Sequence, residues 1–428
     1  MLRILIVTHA FPPMNSIGSH RPYGWARAWR DAGNEIHVLT PAKYGFDGAM
    51  DLQLDTTGIE VHEVDYLPLH RSSADSAGIG QGVKRWERMK TLTRRARFSM
   101  AMFADLRFLA YPPMLRKGLA MLRSQRFDMI VATSPPEVSF LIARGLSART
   151  GIPWIADFRD LWFRDMRLYQ SRVASWLAGR VNRWMVKSAS GLVTVSDGLR
   201  KRLSGYLGRE ALISYNGYFE SQRCAPEAVS SVDQRIHMVY TGRLYPGKYD
   251  PEPLFRALTR LREARDERVH RICVEFYGHE EPWLRSMIGR YGLESIVHIR
   301  GFVPYRESLA AQRAADVILF LDWTEAEGVL TGKLFEYLGS GRPILSLGRR
   351  KDSEAAKLIE ETGAGVTLTS DEEIVSFLKS LVKEPVASTG SPANQRFSRE
   401  EQARVLLAEL GASLPHSRSE RDRHSYPA

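Results

Sequence analysis

Strand-like and helix-like runs alternate along almost the whole chain, and this alternation limits the possible folds more than any other feature. The pattern is typical of parallel sheets that are covered by helices on both faces. The first series of strand-like runs comprises residues 4–8, 35–40, 61–64, 129–132, 154–156 and 191–195, and the second comprises 236–241, 272–277, 297–301, 317–321, 343–347 and 365–368. The sequence therefore predicts an α/β protein with two Rossmann-like domains.

The domain boundaries follow from the interruption between the two series. We expect an N-terminal domain over residues 1–212, a polar interdomain connection over 213–234, and a C-terminal domain over 235–396. A chain of 428 residues is long enough to give each domain a sizeable core. Residues 397–412 read as a closing helix with Ser398 as its cap, and the polar residues 413–428 are expected to form a disordered tail.

Composition places the chain among soluble globular proteins, with 44% apolar and 25% charged residues. The apolar start is too short for a signal peptide, and no run approaches the roughly 20 apolar residues that span a bilayer. Two cysteines, Cys224 and Cys273, favour a reducing, cytoplasmic setting. Their spacing fits no metal site, no His/Cys/Asp cluster has metal-ligand spacing, and we expect neither metal nor cofactor.

The net charge of +11 is concentrated in residues 84–126, where twelve Lys or Arg stand against two acids, Glu87 and Asp105. Nucleic acid, an anionic membrane surface and plain solvent are the alternatives for such a segment. Aromatic and Met residues are interleaved with the cations, which favours an interfacial helix. No nucleic-acid-binding motif is recognisable, so we expect a peripheral membrane contact and no nucleic acid.

Two short clusters predict a phosphate site in the C-terminal domain. Residues 242–248 follow a strand-like run, so Arg243 and Lys248 would emerge at the carboxyl end of that strand. Residues 331–336 read as the start of a helix, where unpaired backbone N–H groups and a partial positive charge favour phosphate. Glu336, one turn further, could accept hydrogen bonds from ribose hydroxyls.

These clusters resemble the donor site of the retaining GT-B glycosyltransferases, in particular glycosyltransferase family 4. Gly242, Arg243 and Lys248 match the family's Gly-Arg-Leu turn with its later Lys, and Glu336 matches the second glutamate of its Glu-x7-Glu element. Gly328 stands at the position of the first glutamate, so that element is broken. The resemblance implies a donor-binding group of Gly242, Thr331, Gly332, Lys333 and Glu336, and a catalytic group that includes Arg243 and Lys248.

The same resemblance implies an architecture and an activity. Family members have two facing Rossmann-like domains, the N-terminal one on the acceptor side and the C-terminal one binding the nucleotide sugar, and their last helix crosses back onto the N-terminal domain. They transfer a sugar, commonly a hexose, from a nucleotide diphosphate sugar with retention of configuration and without a metal. The residues do not distinguish UDP, GDP and ADP donors.

Three further positions match family loops around the donor. Gly18 lies in the glycine-containing loop that approaches the donor phosphates, and Gly278 and Val303 lie in the turns that flank the base. Plain loops are the alternative at each of these positions. Arg21 could serve the acceptor or a phosphate, or it could be solvated.

The motif Asp157-Phe-Arg159-Asp160-Leu-Trp follows a buried strand and resembles a branch of the family that is associated with lipid-linked and surface polysaccharide assembly. We assign Asp157 to the catalytic group, and Arg159 and Asp160 to the acceptor side. A structural salt bridge between Arg159 and either aspartate is the alternative, and the two interpretations can coexist.

The whole pattern predicts a glycosyltransferase whose acceptor is a lipid-linked or growing surface polysaccharide. A nucleotide-sugar epimerase or another GT-B enzyme is one alternative, and a nonenzymatic nucleic-acid-binding protein is another. The apolar face of residues 173–188, which includes Trp176, Trp184 and Met185, is expected to be core packing.

Overall fold

The computed structural model describes residues 1–67, 106–161, 172–223, 235–322, 330–381 and 392–413. The chain divides into two units, one formed by Met1–Tyr215 with the residues from Gln402 onward, and one formed by Asn216–Glu401. Each unit has its own parallel sheet and its own apolar core. The predicted fold class, two doubly wound α/β domains, is confirmed.

The first unit contains a seven-stranded sheet in the order β3-β2-β1-β4-β5-β6-β7, and all of its strand pairs are parallel. Its strands are β1 (Arg3–Val7), β2 (Glu35–Pro41), β3 (Ile59–Val64), β4 (Met129–Ser134), β5 (Trp154–Phe158), β6 (Gly191–Thr194) and β7 (Leu212–Ile213). Its helices are α1 (Ile17–Asp31), α2 (Tyr111–Ser124), α3 (Val138–Thr150), α4 (Arg172–Val186) and α5 (Asp197–Leu207), with a 3-10 helix at Leu106–Ala110. The strand order reverses between β1 and β4, and ligands of such sheets bind beyond the carboxyl ends at this point.

The second unit contains a six-stranded parallel sheet in the order β10-β9-β8-β11-β12-β13. Its strands are β8 (Ile236–Thr241), β9 (Ile272–Tyr277), β10 (Val297–Gly301), β11 (Val317–Leu321), β12 (Ile344–Leu347) and β13 (Gly365–Leu368). Its helices are α6 (Glu252–Glu263), α7 (Pro282–Tyr291), α8 (Tyr305–Ala314), α9 (Gly332–Ser340), α10 (Glu354–Glu361) and α11 (Asp371–Leu381), with 3-10 helices at Glu220–Gln222, Glu267–Arg271 and Pro392–Phe397. The order reverses between β8 and β11, which places the turn after β8 and the start of α9 at the same edge.

The last described helix, α12 (Arg399–Ser413), begins directly after Ser398. The Ser398 hydroxyl accepts a hydrogen bond from the Glu401 amide at 3.1 Å, as a helix cap does. Residues from Gln402 onward belong to the first unit, where the Trp29 indole donates to the Ala403 carbonyl oxygen at 2.8 Å. The boundary between the units therefore falls inside this helix.

Helix α4 differs from the expectation that its apolar face packs into the core. Trp176, Leu177 and Trp184 are 61%, 50% and 53% exposed, so the predicted burial of this face is wrong for all three. Met185 is buried as expected. The two indoles lie beside guanidinium groups instead, with Arg180 at 5.0 Å from the Trp176 ring and Arg144 at 4.5 Å from the Trp184 ring. Among the described helices, none is long and apolar enough to cross a bilayer.

Candidate functional site

The turn after β8 places the Gly242–Arg243 pair at the carboxyl edge of the second sheet. Gly242 has a φ of 112°, which lies in the region that favours glycine. A Cβ on this residue would overlap the Lys333 side chain. The Gly242 N–H donates to the Tyr277 carbonyl oxygen at 2.7 Å, so the turn is fixed to the end of β9.

Gly278 extends this contact to the next strand. A Cβ on Gly278 would overlap the Gly242 carbonyl group, and the Gly278 N–H donates to the Gly301 carbonyl oxygen at 2.8 Å. Val303 follows two residues after Gly301 and is half-buried. The structure thus brings Gly242, Gly278 and Val303 to one edge, where the sequence placed the phosphate and base sites.

Helix α9 begins at Gly332, beyond the carboxyl edge of β11. Thr331 occupies the cap position with an extended backbone (φ −79°, ψ 150°), but its hydroxyl does not cap the helix, and its buried Oγ1 has no hydrogen-bond partner among the described residues. The first amides of a helix have no partner within it. The start of α9 therefore offers polar groups suited to an anion.

Lys333 connects the start of α9 to the turn after β8. Its Nζ donates to the Tyr240 hydroxyl at 2.6 Å and to the Arg243 carbonyl oxygen at 3.2 Å, and it lies 5.0 Å from the centre of the Tyr249 ring. Burial lowers the pKa of the Lys333 ammonium to about 8. A phosphate beside this ammonium group would favour its protonated form, because the two charges are opposite.

Glu336 lies one turn further along α9. Its Oε1 accepts a hydrogen bond from the Tyr305 hydroxyl at 3.1 Å, and Tyr305 in turn accepts one from the Gln222 amide at 3.1 Å. Burial raises the pKa of the Glu336 carboxyl group, although the positive charges of Arg399 and Lys333 oppose the shift. The carboxylate is therefore held in a fixed position at the same edge as Lys333.

Arg243 and Lys248 approach the same aromatic ring. The Arg243 guanidinium lies 5.2 Å and the Lys248 Nζ 5.4 Å from the centre of the Tyr245 ring. Arg243 is also 3.4 Å from a Glu281 carboxylate oxygen, and its side chain remains 55% exposed. The structure thus brings three cations, Arg243, Lys248 and Lys333, to the edge at which α9 begins.

The sequence motifs did not reveal the tyrosines that position these groups. Tyr240, Tyr245 and Tyr249 contact the cations, and Tyr305 contacts Glu336. Three of the four flank the Gly-Arg-Leu turn in the sequence, and that clustering is the signal that could have revealed them.

In the first unit, Asp157 and Arg21 form a buried ion pair between β5 and α1. Three hydrogen bonds join them, from Nη2 to Oδ1 at 2.7 Å and from Nε to Oδ2 at 3.0 Å and to Oδ1 at 3.3 Å, and both side chains are at most 2% exposed. The Thr133 hydroxyl donates to the same carboxylate at 2.7 Å, and Arg21 donates to the Ser214 carbonyl oxygen at 2.6 Å. Asp157 thus has a structural partner that the sequence did not suggest, and its catalytic role stays a prediction.

Arg159 joins the first turn of α1, where Gly18 lies instead of in the predicted loop, to the turn after β4. Its guanidinium donates to the Gly18 carbonyl oxygen at 3.0 Å, to the Ser134 carbonyl oxygen at 3.4 Å and to the Pro135 carbonyl oxygen. A Cβ on Gly18 would overlap the Arg159 guanidinium, so this close approach requires glycine. Burial lowers the pKa of Arg159 to about 10. Asp160 follows at the exposed edge of the same cluster.

Asp157→Ala should destabilise the first unit by about 3–5 kcal/mol, because it leaves the Arg21 charge buried without its carboxylate. Asp160→Ala changes the neighbouring carboxylate, which is exposed, and should cost about 1 kcal/mol or less. Urea unfolding followed by circular dichroism measures both. Equal stabilities of the two variants would contradict the structural role of the Arg21–Asp157 pair.

Comparison with known proteins agrees with this architecture. Residues 19–217 match the family model described as glycosyl transferase 4-like domain. No curated protein matches the chain significantly. Among solved structures, Anabaena Alr3699/HepE in complex with UDP is 16% identical with a TM-score of 0.65, over 96% of this chain and 100% of that one.

Two further solved structures share the fold. Sucrose-phosphate synthase from Thermosynechococcus elongatus is 13% identical with a TM-score of 0.63, over 97% of this chain and 100% of that one. The lipopolysaccharide outer core galactosyltransferase WaaB is 12% identical with a TM-score of 0.55, over 96% and 100%. Over residues 19–217 the chain is therefore similar to the glycosyl transferase 4-like family, and its two-domain fold is that of these solved structures, in agreement with the resemblance to family 4.

Proposed function

We propose that this protein transfers a sugar, with retention of configuration, from a nucleotide diphosphate sugar to a lipid-linked or growing surface polysaccharide. The observation that carries the proposal is the convergence of Arg243, Lys248 and Lys333 on the edge where α9 begins. The solved structures of HepE with UDP and with UDP-glucose support a nucleotide-sugar donor. The similarity to WaaB, a galactosyltransferase of the lipopolysaccharide outer core, supports a saccharide acceptor.

In the proposed complex, the diphosphate lies against the first amides of α9 near Thr331 and Gly332. Arg243 and Lys248 then stabilise the negative charge that develops on the departing phosphate, and Lys333 contributes a third positive charge. Glu336 accepts hydrogen bonds from the ribose, and the turns at Gly278 and Val303 flank the base. Cations and helix amides neutralise the leaving group, so no metal ion has a role in the proposed transfer.

Arg243→Ala and Lys248→Ala should each reduce turnover by about 10²–10³-fold, since each removes a charge that faces the leaving group. The measurement is release of nucleoside diphosphate from the donor in the presence of a membrane fraction as acceptor source. Arg290→Ala is the matched control, because Arg290 is 64% exposed and its acidic neighbour at 4.0 Å, Glu252, is not part of the proposed site.

Turnover close to that of the wild type in both variants would contradict the assignment. Release of free nucleotide that needs no acceptor would favour the alternative of an epimerase.

Donor affinity should have an optimum in pH. Lys333 must be protonated to attract the diphosphate, so affinity should fall as the pH rises through its pKa of about 8. Glu336 must be ionised to accept ribose hydrogen bonds, so affinity should fall as the pH drops through its raised pKa. Isothermal titration with a nucleotide diphosphate sugar measures the profile, because its diphosphate has no terminal phosphate that titrates near pH 6.

A separate variant tests the acid side and the alkaline side of the pH dependence of donor affinity. Lys333→Gln should weaken binding and remove the alkaline limb, and Glu336→Gln should weaken binding and remove the acid limb. A flat profile in the wild type, or a profile that both variants leave intact, would show that these two groups do not contact the donor.

The proposed membrane contact rests on charge and on helix α4. Most of the basic segment 84–126 lies outside the described residues. In the described part, residues 106–126, five Lys or Arg are present without an acid, and the apolar residues of α2 point into the core. The exposed indoles of Trp176 and Trp184 therefore supply the interfacial aromatic contacts on the described surface. We place the protein in the cytoplasm, peripheral to the inner face of the membrane.

Liposome flotation tests this contact. Binding should require anionic lipid and weaken with salt, because each Lys or Arg near the surface contributes about 1 kcal/mol. Replacing Arg94, Arg95 and Arg97 with Ser should reduce binding by about a hundredfold, and Trp176→Ser with Trp184→Ser should reduce it further, whereas Arg290→Ser should not. Equal recovery with zwitterionic lipid would contradict the electrostatic contact, and binding to random oligonucleotide would favour a nucleic-acid partner.

A further inference from the structure

Two histidines and a glutamate meet on the edge strand β3 and its neighbour β2 in the first unit, away from the candidate sites. In the register of β2 and β3, His37 pairs with Glu60 and Leu39 pairs with His62. Alternate residues of a strand share one face, so His37, Glu60 and His62 project from the same side of the sheet. His37 is buried, His62 is 22% exposed and Glu60 is 60% exposed.

We propose that His37, Glu60 and His62 bind a zinc ion. The atoms involved are His37 Nδ1, Glu60 Oε2 and His62 Nε2. They are separated by 3.1 Å (His37 to Glu60), 3.2 Å (His37 to His62) and 3.6 Å (Glu60 to His62). Ligands at about 2.0–2.1 Å from a tetrahedral zinc ion lie about 3.3 Å from one another, so one ion reaches all three atoms without movement of the strands.

The second nitrogen of His37 has the partner that a zinc ligand needs. His37 Nε2 is 3.0 Å from Glu35 Oε1, and the other oxygen of Glu35 contacts the Arg3 guanidinium at 2.6 Å. A carboxylate that accepts from Nε2–H fixes the tautomer, and it leaves the Nδ1 lone pair directed at Glu60 and His62. Zinc-binding histidines commonly have such a carboxylate partner.

This tautomer leaves His37 Nδ1 without a proton of its own. Nδ1 lies 3.1 Å from a Glu60 carboxylate oxygen and 3.2 Å from His62 Nε2. A metal ion among these three atoms would contact all of them. The alternative without a metal is a hydrogen bond that His62 Nε2–H donates to His37 Nδ1. Lys117 adds positive charge near His62, and the Glu60 carboxylate opposes its effect.

A second trio in the described residues does not support the same inference. His237, Cys273 and Glu275 also lie close together in the second unit. There, however, the Glu275 carboxylate contacts the Arg300 guanidinium at 2.6 Å, so a metal ion at Glu275 would lie next to a positive charge. Within the described residues, the only guanidinium close to the cluster on β2 and β3 is that of Arg3. It contacts Glu35, which is not one of the proposed zinc ligands.

The site gives zinc a structural role. Glu60 and His62 lie on β3, at the edge of the sheet, and His37 lies on its neighbour β2. One ion that binds both strands would hold the edge strand in its register. Because the ligands lie near the start of β2 rather than at its carboxyl end, donor affinity should not depend on the metal.

The test uses the full-length protein, treated with a chelator and then titrated with zinc chloride. Isothermal titration should show one zinc ion per chain, and saturating zinc should raise Tm by several degrees, since a ligand that binds the folded state stabilises it. Cobalt(II) in place of zinc should give the visible absorption of a tetrahedral site. His62→Ala and Glu60→Gln should lose both the binding and the rise in Tm.

His270→Ala is the matched control, because His270 is an exposed histidine of the second unit. It should bind zinc as the wild type does. Absence of stoichiometric binding, or binding that persists unchanged in His62→Ala, would overturn the proposal, and the hydrogen bond between His62 and His37 would then explain the cluster. Nucleotide-sugar affinity is measured in the same samples, so failure of the zinc site and failure of the proposed transfer are distinguishable.

Discussion

The close approach of three strand ends in the second unit is the constraint on which the candidate donor site depends. Gly242 and Gly278 each lack a Cβ where one would overlap a neighbour, and their amides donate to the ends of β9 and β10. This packing leaves room for Lys333 to reach the turn after β8 from the start of α9. A Cβ on Gly242 would displace the Lys333 side chain from this turn.

The first unit uses strand ends differently. There, the charged side chains have partners within the fold. Arg21 pairs with Asp157, and Arg159 donates to three carbonyl oxygens. Buried charges require such partners, because an unpaired one is strongly destabilising. The Asp-x-Arg-Asp motif therefore links the end of β5 to the start of α1 and to the end of β4, and Asp160 is the member of the motif that remains at the exposed edge.

Much of this could be predicted from the sequence, because strand and helix periodicity is local. The same periodicity placed Gly242, Arg243, Lys333 and Glu336 at strand ends and a helix start. Contacts between distant residues could not be predicted in this way. The partner of Asp157 lies 136 residues away, and His37 and His62 meet only through the register of two strands.

Helix α4 shows a different limit. Its apolar spacing is typical of a buried face. Trp176 and Trp184 are nevertheless exposed, and the guanidinium groups of Arg180 and Arg144 lie over their indole rings. Periodicity shows which residues share a face, but not what covers that face. Thr331 is similar, since its type suits a helix cap while its hydroxyl caps nothing in the structure.

Hydrogen exchange measured with and without a nucleotide diphosphate sugar tests the proposed donor site most directly. We expect UDP-, GDP- or ADP-sugar to slow exchange of the amides in residues 242–248 and 331–336, where phosphate and ribose would bind. The same peptides of Arg243→Ala should show less protection at equal ligand concentration. Binding that protects other parts of the chain and leaves these two segments unchanged would contradict the proposed donor site.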